Sequence, residues 1–487
     1  MERMTIPGKT DRKVLFPVGA CLDMINATYL KGAKNETIVN GGLPSIVLIM
    51  GGGNTFKSTI VQYLSLAAAN AIFASYTTLL STYDSEVNTH IDRLEHMANR
   101  FDQLPEVMVS DVVAPWDITD KSIMSGDAWW TALEEFANKK VKDKKNYITY
   151  ECIMSHYTKQ PLEMLIPSFA SVDSISEFES ATTERDSRNP KSAEEKRTID
   201  MEKGRFRTKF ISALPALTNK ANIYINLTAQ KGTEINMNTA PHSQPNKALG
   251  FLKAGDKIKA SGNSAYLTSL SFEARKGTPL INQSTKMPEF PADGDVGINT
   301  DLFKVTLIPL RSKAGPSGME IDIIISQDEG VLPELTEFWN IKKNDRFGLG
   351  GNDTNYYLEL RPDVKLSRTK VRKKLREDKL LARACQFTSE LQQLFVLEYH
   401  LEELNGFKFL PTPKELYEDI KSLGYDWDIL LNSRGWHTPK QYDVKPGYLS
   451  IFDLLRMRLN KYPDVNLDKY GLDCYHPYWY DEALKGA

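Results

Sequence analysis

The segment Ser45-Ile46-Val47-Leu48-Ile49-Met50, followed at once by Gly51-Gly52-Gly53-Asn54-Thr55-Phe56-Lys57-Ser58, constrains the fold of this chain more than any other. Past its serine the run has no polar face, so a strand here must be buried on both sides, as in a parallel sheet covered by helices. The glycines end it. Lys57-Ser58-Thr59-Ile60-Val61 then leads into an Ala- and Leu-rich stretch to Phe73, a good helix former over several turns. Strand, glycine loop and helix in that order aim backbone N–H groups at a helix start, where phosphate oxygens can be surrounded.

The loop matches G-x-x-x-x-G-K-[ST] except that Phe56 stands in place of the last glycine. Read functionally, Gly51, Gly52, Gly53, Asn54, Thr55, Phe56, Lys57, Ser58 and Thr59 form a cradle for ATP. Lys57 neutralises the β and γ phosphates, and Ser58 ligates Mg2+. The plain alternative is a glycine turn before an ordinary helix.

Composition sets the surroundings. With 41% hydrophobic and 25% charged residues in 487, the chain can build a large core, and disorder and fibres are excluded. Lys plus Arg (61) against Asp plus Glu (63) leaves a net charge of -2, so nucleic acid must be met by local basic patches. Cys21, Cys152, Cys385 and Cys474 have no CxxC spacing and read as packing residues in a reducing compartment. No apolar run reaches the roughly 18 residues of a membrane helix, and Met1 to Lys13 is polar, so a cytoplasmic protein without membrane contact is expected.

Three more strands are expected: Thr77 to Tyr83, Met164 to Val172 and Ile223 to Ala229. Each ends in polar residues, Asp84-Ser85-Glu86, Asp173 and Gln230 respectively. Ligands of open parallel sheets bind outside the carboxyl ends of the strands, so these residues are candidates for one nucleotide site. Asp173 is placed to hold a Mg2+ water, or else caps the next segment. Glu86 is a candidate general base, or a solvated turn carboxylate. Gln230 is a candidate sensor of the γ phosphate, or a structural amide. Arg311 and Lys313, two apart at a strand end, point one way and are candidates for reaching a neighbouring subunit's phosphates, or are hairpin surface charges.

Glu177 to Lys203 and Lys231 to Ser261 read as long loops with binding potential. In the second, Lys247, Lys253, Lys257 and Lys259 are candidates for phosphate contact and Phe251 for insertion between bases, the alternative being a solvated loop. Ala265 to Ala274, Phe303 to Leu310 and Ile321 to Ile325 extend the sheet by antiparallel hairpins. The expected organisation is a short extension (1–13), an α/β core (14–345), a basic linker (346–376) and a mainly helical carboxyl-terminal domain (377–487). In the last, Phe387, Leu391, Leu394 and Leu401 share one helical face, and Leu416, Ile420 and Leu423 repeat the spacing.

Taken in order, these pieces resemble the RecA family, most closely the UvsX-type recombinases of tailed phages, over roughly Phe16 to Asn344. Val18-Gly19-Ala20-Cys21-Leu22-Asp23 and Gly41-Gly42-Leu43-Pro44 resemble the family's approach to its ATP loop, and Phe56-Lys57-Ser58 resembles its UvsX variant. Tyr83-Asp84-Ser85-Glu86 is similar to the strand bearing the catalytic glutamate, and Val172-Asp173-Ser174 to the Walker B ending. Gln230 and Gly262-Asn263-Ser264-Ala265 resemble the two ends of the second DNA loop, Glu177 to Lys203 the first DNA loop, and Arg311-Ser312-Lys313 the basic pair across the filament interface. Asp328-Glu329-Gly330 is also similar to the family.

The resemblance implies a RecA-like P-loop core and a DNA-dependent ATPase that assembles on single-stranded DNA for pairing and strand exchange. ATP and Mg2+ would lie between protomers, with duplex DNA and a single-strand-binding protein or mediator as further partners. The family usually carries an amino-terminal docking helix, whereas about a dozen residues precede the core here. A filament would then use other surfaces, and a ring-forming helicase-type motor or a nucleotide-dependent replication scaffold stands as the alternative. The insertion Lys139 to Gln160 has no counterpart in the resemblance.

Overall fold

The computed structural model describes residues 11–104, 116–188, 190, 192–233, 249–253, 255–261, 263–292, 300–397, 410–462 and 473–485. Its centre is an 11-stranded sheet. The main strands are β1 (Ile46–Gly51), β2 (Leu80–Asp84), β3 (Trp116–Asp120), β4 (Ser168–Asp173), β5 (Ile223–Thr233), β6 (Leu270–Ala274), β7 (Leu302–Ser312), β8 (Ile321–Ser326) and β9 (Gly330–Val331). They lie in the spatial order β9-β8-β7-β6-β1-β5-β4-β2-β3. From β6 to β3 every neighbouring pair is parallel, and β7, β8 and β9 continue the sheet antiparallel.

All six residues of β1 are buried, as its unbroken apolar run requires. Their side chains alternate between two cores. Val47 and Ile49 join Ile60, Val61, Leu64 and Ile72 of α1 (Lys57–Phe73) on one face. Ile46, Leu48 and Met50 join Phe210, Ile211 and Leu214 of α2 (Ala193–Ala221) on the other. Each buried aliphatic side chain contributes about 1.5–3 kcal/mol, so burial on both faces holds this central strand in the sheet. The fold is a mixed α/β arrangement with a mainly parallel sheet flanked by helices. No helix among the described residues is long and apolar enough to cross a membrane.

Five expectations need correction. The stretch Ala265 to Ala274 opens in the short helix Ser264–Leu267, and only β6 is strand, pairing parallel with β1 on one side and antiparallel with β7 on the other. Glu177 to Lys203 is largely helical: Ala181–Ser187 forms one helix, and α2 runs for 29 residues. Ser180 and Ser192 cap these helices by accepting from the backbone N–H of Thr183 and Glu195, and the dense mixed charge of the sequence is their solvent face. The strand expected over Met164 to Val172 is two strands, Pro161–Leu165 and β4, which belong to different sheets.

The stretch 346–376 is not a linker. Leu349–Gly351, Tyr356–Leu358 and Arg361–Leu366 form a three-stranded antiparallel sheet, and a helix begins at Val371. Its basic residues pin it to the core: Arg372 donates to both oxygens of Asp301 at 2.7 and 2.8 Å, and Arg376 reaches Glu329 at 3.2 Å. The carboxyl-terminal part is mainly helical, but it shares one core with the sheet rather than standing apart. Phe290, Leu302 and Ile324, with Leu335 and Phe338 of α3 (Pro333–Lys343), pack in one cluster with Phe387, Leu391 and Leu394 of α4 (Lys379–Val396) and Leu416, Ile420 and Leu454 beyond it. Leu401 lies outside the described residues.

The insertion Lys139 to Gln160 carries the end of helix Gly126–Lys142 and the strand Tyr147–Met154, which pairs with Pro161–Leu165. That hairpin docks on the carboxyl-terminal part, where the Tyr150 hydroxyl meets His437 Nδ1 at 2.7 Å and Glu151 N donates to Pro439 O at 3.0 Å. Cys21, Cys152 and Cys385 are buried as packing residues, whereas Cys474 is exposed.

Candidate nucleotide site

The sheet register brings the polar strand ends to one edge. Gly51 pairs with both Gln230 and Ala274, and Asp84 pairs with Asp173. The loop between β1 and α1 therefore opens beside the carboxylates of β2 and β4.

Within the loop, Gly51 is required by close approach: a Cβ there would lie 2.7 Å from Ala274 O and from Thr55 Oγ1. A Cβ on Gly52 or Gly53 meets nothing within 4 Å, so these glycines border open space that a phosphate chain could fill. Asn54 and Phe56 adopt left-handed backbone, φ 56° and 55°. For a non-glycine residue that conformation costs about 1–2 kcal/mol. The Phe56 ring offsets it by packing 5.2 Å from the Phe303 ring and over Gly277, where a Cβ would come within 2.7 Å of it. The Phe56 departure from the motif thus has a packing partner of its own.

Lys57 Nζ donates to Gly52 O at 2.7 Å and to Thr55 Oγ1 at 3.2 Å, curling over the loop it follows. Partial burial lowers its pKa, and the nearby charges of Asp173 and Glu86 oppose that shift. Burial raises the pKa of Asp173, while hydrogen bonds from Ser58 and Thr228 hold it down and Glu86 and Asp84 push it up. Ser58 is exposed at the helix start, and Thr59 is buried behind it.

Glu86 is positioned by Asp84, whose capping role the sequence reading missed. The buried Asp84 accepts from four successive backbone amides: Glu86 and Val87 N on Oδ1 at 2.9 and 2.8 Å, and Asn88 and Thr89 N on Oδ2 at 2.7 Å each. An Asp opening a turn is the local signal that marks such a cap. Gln230 Nε2 donates to Glu86 Oε1 at 3.4 Å, and Gln230 N donates to Ser176 Oγ at 2.8 Å. Ser176, also missed, donates in turn to Lys259 O at 2.6 Å, and Lys259 N returns to Gln230 O at 2.9 Å. Both ends of the segment 231–261 are therefore tied to the strand end that carries Gln230. The segment is not structureless there: Lys231 to Thr233 prolongs β5 and pairs with Asp256–Ile258.

The other expected residues divide, two of them reaching the glycine loop and the rest lying away from it. Lys253 and Phe251 line a groove of about 550 Å³ with Gly52, Gly53 and Thr55, and the Phe251 ring lies against the Gly318 turn. Lys257 is exposed on the short strand opposite Gly232, and the exposed Lys259 lays its stem over Gly232. Lys247 lies outside the described residues. Arg311 and Ser312 pair with Ser271 and Leu270, at the end of β6 away from Ala274. Three to four residues of strand, about 10–13 Å, separate that level from the glycine loop, so Arg311 and Lys313 do not join the site of their own chain.

Ser58 hydrogen-bonds to Asp173, so these two side chains could share a divalent cation, and the described residues contain no group of three or more His, Cys, Asp or Glu that could hold a metal. That donor set fits Mg2+, which takes one or two protein ligands and fills its shell with phosphate and water. The sequence matches no protein-family model and no curated protein.

Proposed function

We propose that this chain is an ATP-dependent recombinase of the RecA type, acting in the cytoplasm, that assembles on single-stranded DNA. The observation that carries the reading is the contact between Gln230 and Glu86. It joins the candidate water-activating carboxylate to a strand that runs on into the candidate DNA segment 231–261.

In this reading Gly52 and Gly53 leave room for the phosphates, and Lys57 turns its ammonium from Gly52 O to the β and γ oxygens. Glu86, held by Asp84, takes the proton of the attacking water. Mg2+, held by Ser58 and through water by Asp173, would supply charge neutralisation between the phosphates. Gln230 leaves Glu86 for the γ phosphate when ATP binds, and the Ser176 and Lys259 bonds carry that shift to the loop. Arg311 and Lys313 lie at the opposite ends of the strands, away from this chain's own glycine loop, a placement that suits contact with the nucleotide of a neighbouring protomer.

Electron microscopy of the protein with single-stranded DNA, Mg2+ and a slowly hydrolysed ATP analogue tests the reading. Helical filaments coating the DNA are expected. Closed rings threaded by DNA would make the chain a motor of the helicase type, and no nucleotide-dependent assembly would leave a scaffold.

A further inference from the structure

A second opening, also about 550 Å³, lies between α1, the segment 97–103, α3 and α4. It is the size of a small-molecule cleft. Tyr63, Ala67, Met97, Val331, Leu375 and Trp436 give it apolar walls. Glu337, on α3, lines it with only 6% of its surface exposed. Among the described residues this carboxylate has no hydrogen bond and no ion pair. Gly19, in left-handed backbone at φ +67°, leaves the approach clear: a Cβ there would stand 3.6 Å from the Tyr63 hydroxyl and 3.8 Å from Glu337 Oε1.

The neighbouring cations are already engaged. Arg100 pairs with Glu329 and Glu334, Lys379 with Asp102, and Arg376 with Glu329. Lys445 pairs with Glu482, and Arg434 donates to the carbonyls of Pro446 and Trp436. Arg383 donates to Gln386 Oε1 at 2.6 Å and to the carbonyls of Arg434 and Leu449. Asp23 accepts from the backbone of Val18 and Gly19, and Glu390 accepts from Gln386, so neither offers Glu337 a donor.

A buried carboxyl without a donor is costly to ionise unless a cation is brought to it, and the acids around it add to the negative potential. A bare metal ion is disfavoured, because the described residues hold no group of three or more ligating side chains. We propose that this cleft binds an organic cation, an ammonium or guanidinium group on a short apolar stem, with Glu337 as its counter-ion. Burial raises the Glu337 pKa far above the usual range, Glu390, Glu334 and Asp23 raise it further, and Arg383 opposes them. Binding of the cation therefore expels a proton, and affinity rises with pH. The inference is independent of the ATP site.

The test is isothermal titration of the full-length chain with n-butylamine and with agmatine, using n-butanol as the uncharged control and two buffers of different ionisation enthalpy. Saturable binding of the amines but not the alcohol, with proton release, is expected. Glu337→Gln should weaken it about tenfold or more, a loss of about 1.4 kcal/mol, while Glu337→Asp keeps part of it. Sedimentation of wild type and Glu337→Gln covers the other source of the same group. Self-association that the variant removes and n-butylamine competes away would place a lysine or arginine of a second copy in the cleft. No saturable amine binding together with no such association, or equal affinity in Glu337→Gln, overturns the proposal.

Discussion

Asp84 holds the turn that presents Glu86, the candidate base of the proposed reaction. Its two oxygens take four amides of that turn. Asp84→Asn replaces one acceptor by a donor facing N–H groups, so about half of that cap is lost. On the proposed reading ATP turnover should fall about tenfold or more, with nucleotide affinity little changed. Phosphate release and nucleotide titration on the same variant separate the two quantities, and an unchanged turnover would remove Asp84 from the site. Lys57→Ala should abolish turnover with the melting temperature kept within a few degrees. Glu86→Gln should bind ATP and hydrolyse it roughly 10²–10⁴-fold more slowly. If Lys57→Ala hydrolyses ATP at the wild-type rate, the loop is only a glycine turn.

At the scale of elements, the strand, glycine loop and first helix were legible because period and punctuation are local properties of the chain. Helix α2 was not, because its charges of both signs resemble a solvated loop until Ile199, Phe206, Phe210, Leu214 and Leu217 are seen as one face. Another element hides an unusual charge. Lys140, at the end of helix Gly126–Lys142, is 5% exposed and donates to Ser168 Oγ at 2.8 Å at the start of β4. Burial, and then Lys13, push its pKa down to about 7. The unfolded side chain keeps its proton to about pH 10.4, so between these values the unfolded state binds more protons and stability rises with pH. Lys140→Met should flatten that rise. Urea unfolding at pH 7 and 9 measures it, and a slope equal to wild type would assign the effect elsewhere.

For the whole molecule, the shared core decides what can fold alone. Phe290, Leu302, Ile324, Leu335 and Phe338 are covered by residues beyond 346, so a chain ending at 345 would expose them together. At about 1.5–3 kcal/mol each, losing the burial of these five side chains would cost about 8–15 kcal/mol, as much as the whole net stability of a domain, about 5–15 kcal/mol. The full chain should therefore unfold in one calorimetric transition, and residues 14–345 expressed alone should be insoluble or unfolded. A soluble, cooperatively folding 14–345 fragment would restore the linker expected from composition.

What the sequence determined by itself was local: a strand buried on both faces, a glycine-rich loop opening a helix, and polar residues at the ends of three other strands. Each depends on neighbours a few residues apart, and such order is written in period and residue type. Tertiary structure decided which of these meet. Parallel pairing set Gly51 beside Gln230 and Asp84 beside Asp173 across more than a hundred residues of chain in the first case, and antiparallel pairing carried Arg311 and Lys313 to the opposite edge. It also decided that the basic stretch after 346 would be spent on Asp301 and Glu329. Register and burial are properties of pairs distant in sequence, so neither composition nor spacing within one segment encodes them visibly.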